Sequence, residues 1–111
     1  MEIGSRCCQV TTTFPDETGA RQAAATAVGE RLAACAQVAG PVESIYRWDG
    51  KIESAKEWYV HFKTTAARAP DLRSRLREIH PYDTPEIIVL PIADGDPAYL
   101  RWIEASVAPG T

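Results

Sequence analysis

Apolar and polar positions along the chain alternate between a period of two and a period near 3.6. From Arg6 to Thr13, cysteine, valine and the run Thr11-Thr12-Thr13 suit an extended strand, because β-branched side chains fit a pleated surface. Phe14-Pro15-Asp16 ends that strand, and the Asp16 carboxylate can accept the orphan backbone N–H groups that open a helix. Ala20, Ala23, Ala24, Ala27, Val28 and Leu32 then recur every three or four residues, which predicts an amphipathic helix whose alanine-rich stripe allows close approach to a sheet. The stretch Ala36 to Thr65, broken at Gly40-Pro41, predicts a hairpin turning at Asp49-Gly50, a pair suited to the positive φ angles of a type I′ turn. Its arms are Val42 to Trp48 and Ile52 to Thr64. In the second arm Trp58, Val60 and Phe62 share one face, and Tyr59, His61 and Lys63 share the other. That arm is long for a strand, which predicts a bulge or bend around Ser54 to Lys56.

Ala69-Pro70-Asp71 opens a second helix with the stripe Leu72, Leu76 and Ile79, and Pro81 ends it by His80. Glu86 to Ile92 is nearly continuous in apolar residues and predicts a strand buried on both faces. Asp96-Pro97 caps a last short helix carrying Tyr99, Leu100, Trp102 and Ile103. The order strand, helix, strand, strand, helix, strand, with an extra C-terminal helix, predicts an α+β ferredoxin-like βαββαβ sandwich. No repeat or linker divides it, so residues 1–111 are expected to form one domain.

Two helices cover one face of such a sheet. Tyr46, Trp48, Trp58, Tyr59 and Phe62 on the hairpin supply aromatic area for both faces, so the second face needs a cover. The final helix with Trp102 could provide part of it, and self-association is expected to provide the rest.

Charge narrows the partners. The chain has 12 basic and 15 acidic residues, a formal charge of -3, and no Lys/Arg run that would track phosphates, so nucleic acid is not an expected partner. The start from Met1 to Arg6 lacks a signal-like pattern, and no apolar stretch approaches a membrane span. Cys7, Cys8 and Cys35 are an odd number, and Cys7 and Cys8 point to opposite faces of a strand. Free thiols and a cytoplasmic location are expected.

Three segments resemble one family in order and spacing: Glu30 to Ala36 (ERLAACA), Ser44 to Glu53 (SIYRWDGKIE) and His80 to Ile87 (HPYDTPEI). Pro15-Asp16-Glu17, Lys63-Thr64, Leu90-Pro91-Ile92 and Tyr99-Leu100-Arg101-Trp102 fit as well. The chain thus resembles the CutA divalent-ion-tolerance family over nearly its whole length. The resemblance implies a cytoplasmic homotrimer whose strands pair between chains, and a link to tolerance of copper and other divalent cations. Its architecture is similar to that of the PII signalling proteins, which receive small molecules and effector proteins at clefts between subunits.

Candidate chemistry follows from both sources. Thiolate, imidazole and carboxylate could hold copper or another divalent cation, and Cys35 and His80 are the candidate metal positions, although no pair has ligand spacing. In some relatives a strand-end cysteine and two adjacent histidines are treated as copper ligands; the matching positions here are Thr12 and Ile79-His80, so one of those ligands is kept. His61 is expected to be an ordinary strand residue. Tyr46, Trp48, Lys63, His80, Tyr82 and Glu86 are the candidate ligand-binding residues of a cleft between subunits, with a metal ion or a small anion, metabolite or partner protein as the alternatives. No nucleophile elbow, phosphate loop or hydrolase spacing accompanies them, so a catalytic role is not expected.

Overall fold

The computed structural model describes residues 5–109, so both ends of the 1–111 span, including Met1 to Gly4 of the start, lie outside the described residues. Seven elements follow one another: β1 (Cys7–Phe14), α1 (Glu17–Gly29), β2 (Cys35–Trp48), β3 (Lys51–Thr65), α2 (Ala69–Ile79), β4 (Ile87–Pro91) and α3 (Pro97–Val107). The strands form one sheet in the order β2-β3-β1-β4, every neighbouring pair antiparallel. This is the ferredoxin-like α+β arrangement. Ala20, Ala23 and Ala27 of α1 and Leu72 and Leu76 of α2 pack on Val10, Phe14, Val60 and Phe62 of the two central strands. Each large apolar side chain sealed there contributes about 1.5–3 kcal/mol.

Local chemistry sets the element ends. The Asp16 carboxylate accepts the Gly19 N–H at 2.6 Å and the Asp96 carboxylate accepts the Tyr99 N–H at 3.2 Å, satisfying first-turn donors of α1 and α3. Asp49 and Gly50 have φ of 51° and 75°, as the hairpin turn requires. Helix α1 stops at Gly29, earlier than the stripe through Leu32 predicts, because Arg31 adopts a left-handed φ of 60° and the Leu32 and Ala33 N–H groups both return to the Ala27 carbonyl. Leu32 enters the core from that turn, whereas Val28 is exposed.

The bulge falls on the other arm from the one expected. Ala39 pairs with Tyr59 and Val42 with Glu57, so β2 spends three residues where β3 spends two, around a cis Gly40-Pro41 bond. The span Ser54 to Lys56 pairs regularly. Gly40 is needed at the bulge: a Cβ there would stand 2.8 Å from Trp58 Cδ1 and 3.1 Å from the Glu57 carbonyl oxygen.

Strand β4 also departs from expectation. It is an edge strand, and only Ile87 packs on the core; Ile88, Val89 and Leu90 keep 43%, 38% and 47% of their surface exposed, so neither face is sealed within one chain. Helix α3 crosses one end of the sheet face opposite α1 and α2. It buries Ile103 and Val107, while Trp102 stays half exposed and stacks on Tyr99 at 5.7 Å. Alternation along β1 sends Cys8 into the helical layer and Cys7 under α3, where its Sγ lies 3.6 Å from the Leu100 carbonyl oxygen. Burial pushes both thiols above their ordinary range.

The crowding at Gly40 gives a direct test. Gly40→Ala should destabilise the protein by about 1–3 kcal/mol, since Trp58 and the bulge must shift. Gly50→Ala, at a φ of 75° with open space around it, should cost about 1 kcal/mol. Thermal unfolding at one protein concentration measures both, and equal losses would show that conformational strain, and not the Trp58 contact, sets the requirement at Gly40.

Candidate functional site

The bulge decides which side chains meet. Before it the odd-numbered residues of β2 lie on the sheet face of Tyr59 and His61; after it the even-numbered ones do, so Val42, Ser44, Tyr46 and Trp48 join that face. Pro81 and the residues after it rise beside them. Between the hairpin and this loop lies an open cavity of about 920 Å³. Its aromatic walls are Tyr46, Trp48, Tyr59 and Tyr82, and its carboxylates are Glu57, Asp83 and Glu86; Glu43 borders it, but alternation turns that side chain to the other face, across from Lys56. Among the described residues that line it there is no lysine or arginine.

One hydrogen bond spans the cavity. The Tyr82 hydroxyl donates to Glu57 Oε2 at 2.9 Å, tying the loop to β3. Burial and this carboxylate push the phenol up to about 12, so Tyr82 stays a donor across the neutral range.

His80 sits behind this wall. Its Nε2 is 2.7 Å from the Thr13 carbonyl oxygen and its Nδ1 accepts the Tyr82 N–H at 3.1 Å, which assigns the proton to Nε2. The ring is stacked on Phe14 at 4.4 Å and tilted against Tyr82 at 5.0 Å. Burial holds its pKa below the ordinary value, partly opposed by the Thr13 carbonyl and Glu57. His80 is thus a neutral strut that fixes the backbone of Tyr82, with both ring nitrogens engaged.

The other candidate positions separate. Lys63 lies on the same sheet face, but its Nζ donates to Gln37 Oε1 at 2.7 Å and it does not line the cavity. Cys35 pairs with Lys63 at the opposite end of the sheet, and its Sγ is 3.5 Å from the Tyr99 hydroxyl. Lys63 in turn pairs with Gln9, four residues from Thr13, so Cys35 and His80 are roughly 13 Å apart along the strands alone. The structure does not bring these two candidate ligands together. Thr12 is sealed on the helical side with its hydroxyl unpaired and takes no part in the cleft. Among the described residues no group of three His, Cys, Asp or Glu side chains converges on a metal position.

Tyr46, Trp48, Tyr82 and Glu86 therefore share one cavity, while Lys63, His80 and Cys35 lie outside it. Sequence patterning missed Glu57 and Tyr59 as cavity residues. Their place two residues apart on one face of β3 was readable, but only the pairing with Val42 and Ala39 shows that the face lines a cleft. His61, stacked on Tyr59 at 5.3 Å with Nδ1 3.0 Å from Thr11 Oγ1, is a sheet residue with local partners.

Comparison with known proteins agrees with this architecture. The family model described as "CutA1 divalent ion tolerance protein" matches residues 8–106. The chain is 41% identical over 103 residues, covering 93% of it and 87% of the relative, to the "Divalent-cation tolerance protein CutA" of Yersinia pestis (strain Pestoides F). It is similar to the solved divalent cation tolerance protein of Thermus thermophilus, with a TM-score of 0.89, 40% identity and coverage of 92% and 99% of the two chains. It is also similar to the "Periplasmic divalent cation tolerance protein CutA" of Archaeoglobus fulgidus, with a TM-score of 0.88, 32% identity and coverage of 91% and 98%.

The buried imidazole makes a pH prediction. Because the folded pKa of His80 lies below its ordinary 6.5, the unfolded chain takes up a proton that the folded chain refuses as pH falls. The stability that depends on the neutral ring is complete above about pH 6.5 and is lost as pH drops through the lower folded value. The parent should lose more thermal stability between about pH 7.5 and about pH 5 than His80→Gln, which can still donate to Thr13. His61, whose pKa is also lowered, chiefly by burial and then by Lys63, is present in both proteins and cancels. Superimposable pH profiles would contradict the strut role.

Proposed function

We propose a function from the premise that this chain belongs to the CutA1 divalent ion tolerance family: it works as a homotrimer that holds a cation in the cleft beside its hairpin. The observation that carries this is the composition of the cleft, the carboxylates Glu57, Asp83 and Glu86 and four aromatic rings with no lysine or arginine in the described lining. Oxygen donors of this kind suit hard or borderline divalent ions, copper(II) and zinc included, more than Cu(I), which prefers sulfur. The binding residues are Tyr46, Trp48, Tyr82 and Glu86, joined by Glu57, with His80 in support; Cys35 and His80 do not form a resident metal site. The same lining argues against a small anion as ligand.

Assembly is supported by the surfaces that one chain leaves bare. Ile45 and Ile52 at the hairpin end are 69% and 71% exposed, and the edge residues Ile88, Val89 and Leu90 add an apolar strip. An unpaired strand edge with an apolar strip invites another copy, and the cleft lies next to the exposed hairpin. The free cysteines fit a cytoplasmic setting, although one solved relative is described as periplasmic. No described helix is long and apolar enough to cross a membrane. The role is binding and not catalysis, since His80 spends both nitrogens on structure.

Light scattering at micromolar concentration should give three times the chain mass; a single-chain mass would rule out the trimer. Calorimetry with Cu(II) and Zn(II) should show saturable binding that the double change Glu57→Gln and Glu86→Gln weakens at least about tenfold while Cys35→Ala leaves it unchanged. Equal binding in all three proteins would remove the metal ion from this cleft.

A further inference from the structure

We infer that the cleft recognises an alkylammonium group, a proposal that rests on this cavity being the ligand site and goes beyond a bare metal ion. Size is the first argument. A volume of about 920 Å³ matches a metabolite-sized ligand and exceeds what one bare ion fills.

The walls are the second argument. Tyr46 and Trp48 are substantially exposed, and Tyr59 and Tyr82 stand across from them in the same cavity. The faces of these rings carry partial negative charge and attract cations, more strongly the less hydrated they are, which favours an ammonium nitrogen bearing alkyl groups over a hydrated divalent metal. Val42 adds apolar surface for a hydrocarbon stem.

Charge is the third. Glu57, Asp83 and Glu86 face no lysine or arginine in the described lining, so the field in the cleft favours a positive ligand, while Glu43 at its border lies opposite Lys56. Tyr82 occupies one oxygen of Glu57 and thereby orients that carboxylate, leaving its other oxygen to accept an N–H from the ligand. Aromatic faces beside oriented carboxylates are the chemistry of amine recognition.

Calorimetry and tryptophan fluorescence on the full chain test it, with spermidine and trimethylamine, both protonated at neutral pH, as probes, sodium chloride at matched ionic strength as control, and inorganic phosphate as competitor. Saturable binding of either amine should weaken at least about tenfold in the Glu57→Gln, Glu86→Gln double variant and in Trp48→Leu, with phosphate without effect. No binding above the salt control would overturn it, as would amine binding that neither variant alters or that phosphate displaces. Zn(II) titration of Trp48→Leu separates this from the metal reading. A metal held by carboxylates should be indifferent to Trp48, so amine failure with zinc binding intact sinks only this inference.

Discussion

A pleated strand alternates its side chains with a period of two, and the single extra residue between Ala39 and Val42 inverts that alternation for the rest of β2. On the near side Ala36 and Val38 turn inward to the helical layer. On the far side Tyr46 and Trp48 turn to the opposite face, beside Tyr59 and Glu57. One strand thereby serves the core at one end and the cleft at the other. Without the bulge the register would send Ile45 and Arg47 to the cleft and the aromatic rings away from it. Gly40 makes this possible because any Cβ would press on Trp58, whose ring closes the core at that point.

The cleft is then ordered from outside by His80, which binds no ligand itself. His80 engages the Thr13 carbonyl with one nitrogen and the Tyr82 N–H with the other, so the end of β1 fixes the start of the loop. Tyr82 carries that order across to Glu57. The chain's overall charge is only -3, yet Glu57, Asp83 and Glu86 gather in one cavity. Exposed pairs elsewhere, such as Arg75 with Glu30 at 3.0 Å, add little to stability and leave the cleft acids unbalanced.

Much of the fold was legible because it depends on local rules. Asp16 and Asp96 as caps, Asp49-Gly50 as the turn, and Val60 with Phe62 facing the helices all follow from spacing and backbone preference. What escaped depended on neighbours. Gly40-Pro41 reads as a break, but the strand passes through it because β3 continues to pair on both sides. The apolar run of β4 reads as a doubly covered strand, and only its place at the sheet edge exposes it. For the site, the family resemblance pointed to Tyr46, Trp48, Tyr82 and Glu86, which do meet. Lys63 shares their sheet face, but the partner it finds, Gln37, comes from a strand pairing that no local pattern encodes. Glu57 gains its role only through the loop that reaches it.

The adjacent cysteines of β1 have a use of a different kind. Cys8 is closed under α1 and α2 and Cys7 under α3, and in both the thiol is held in its protonated, unreactive form. Two neighbouring residues therefore stand guard over two separate layers. Alkylation of Cys7 records the lifting of α3 and alkylation of Cys8 the parting of the main core, so native labelling rates resolve which layer opens first without any introduced probe.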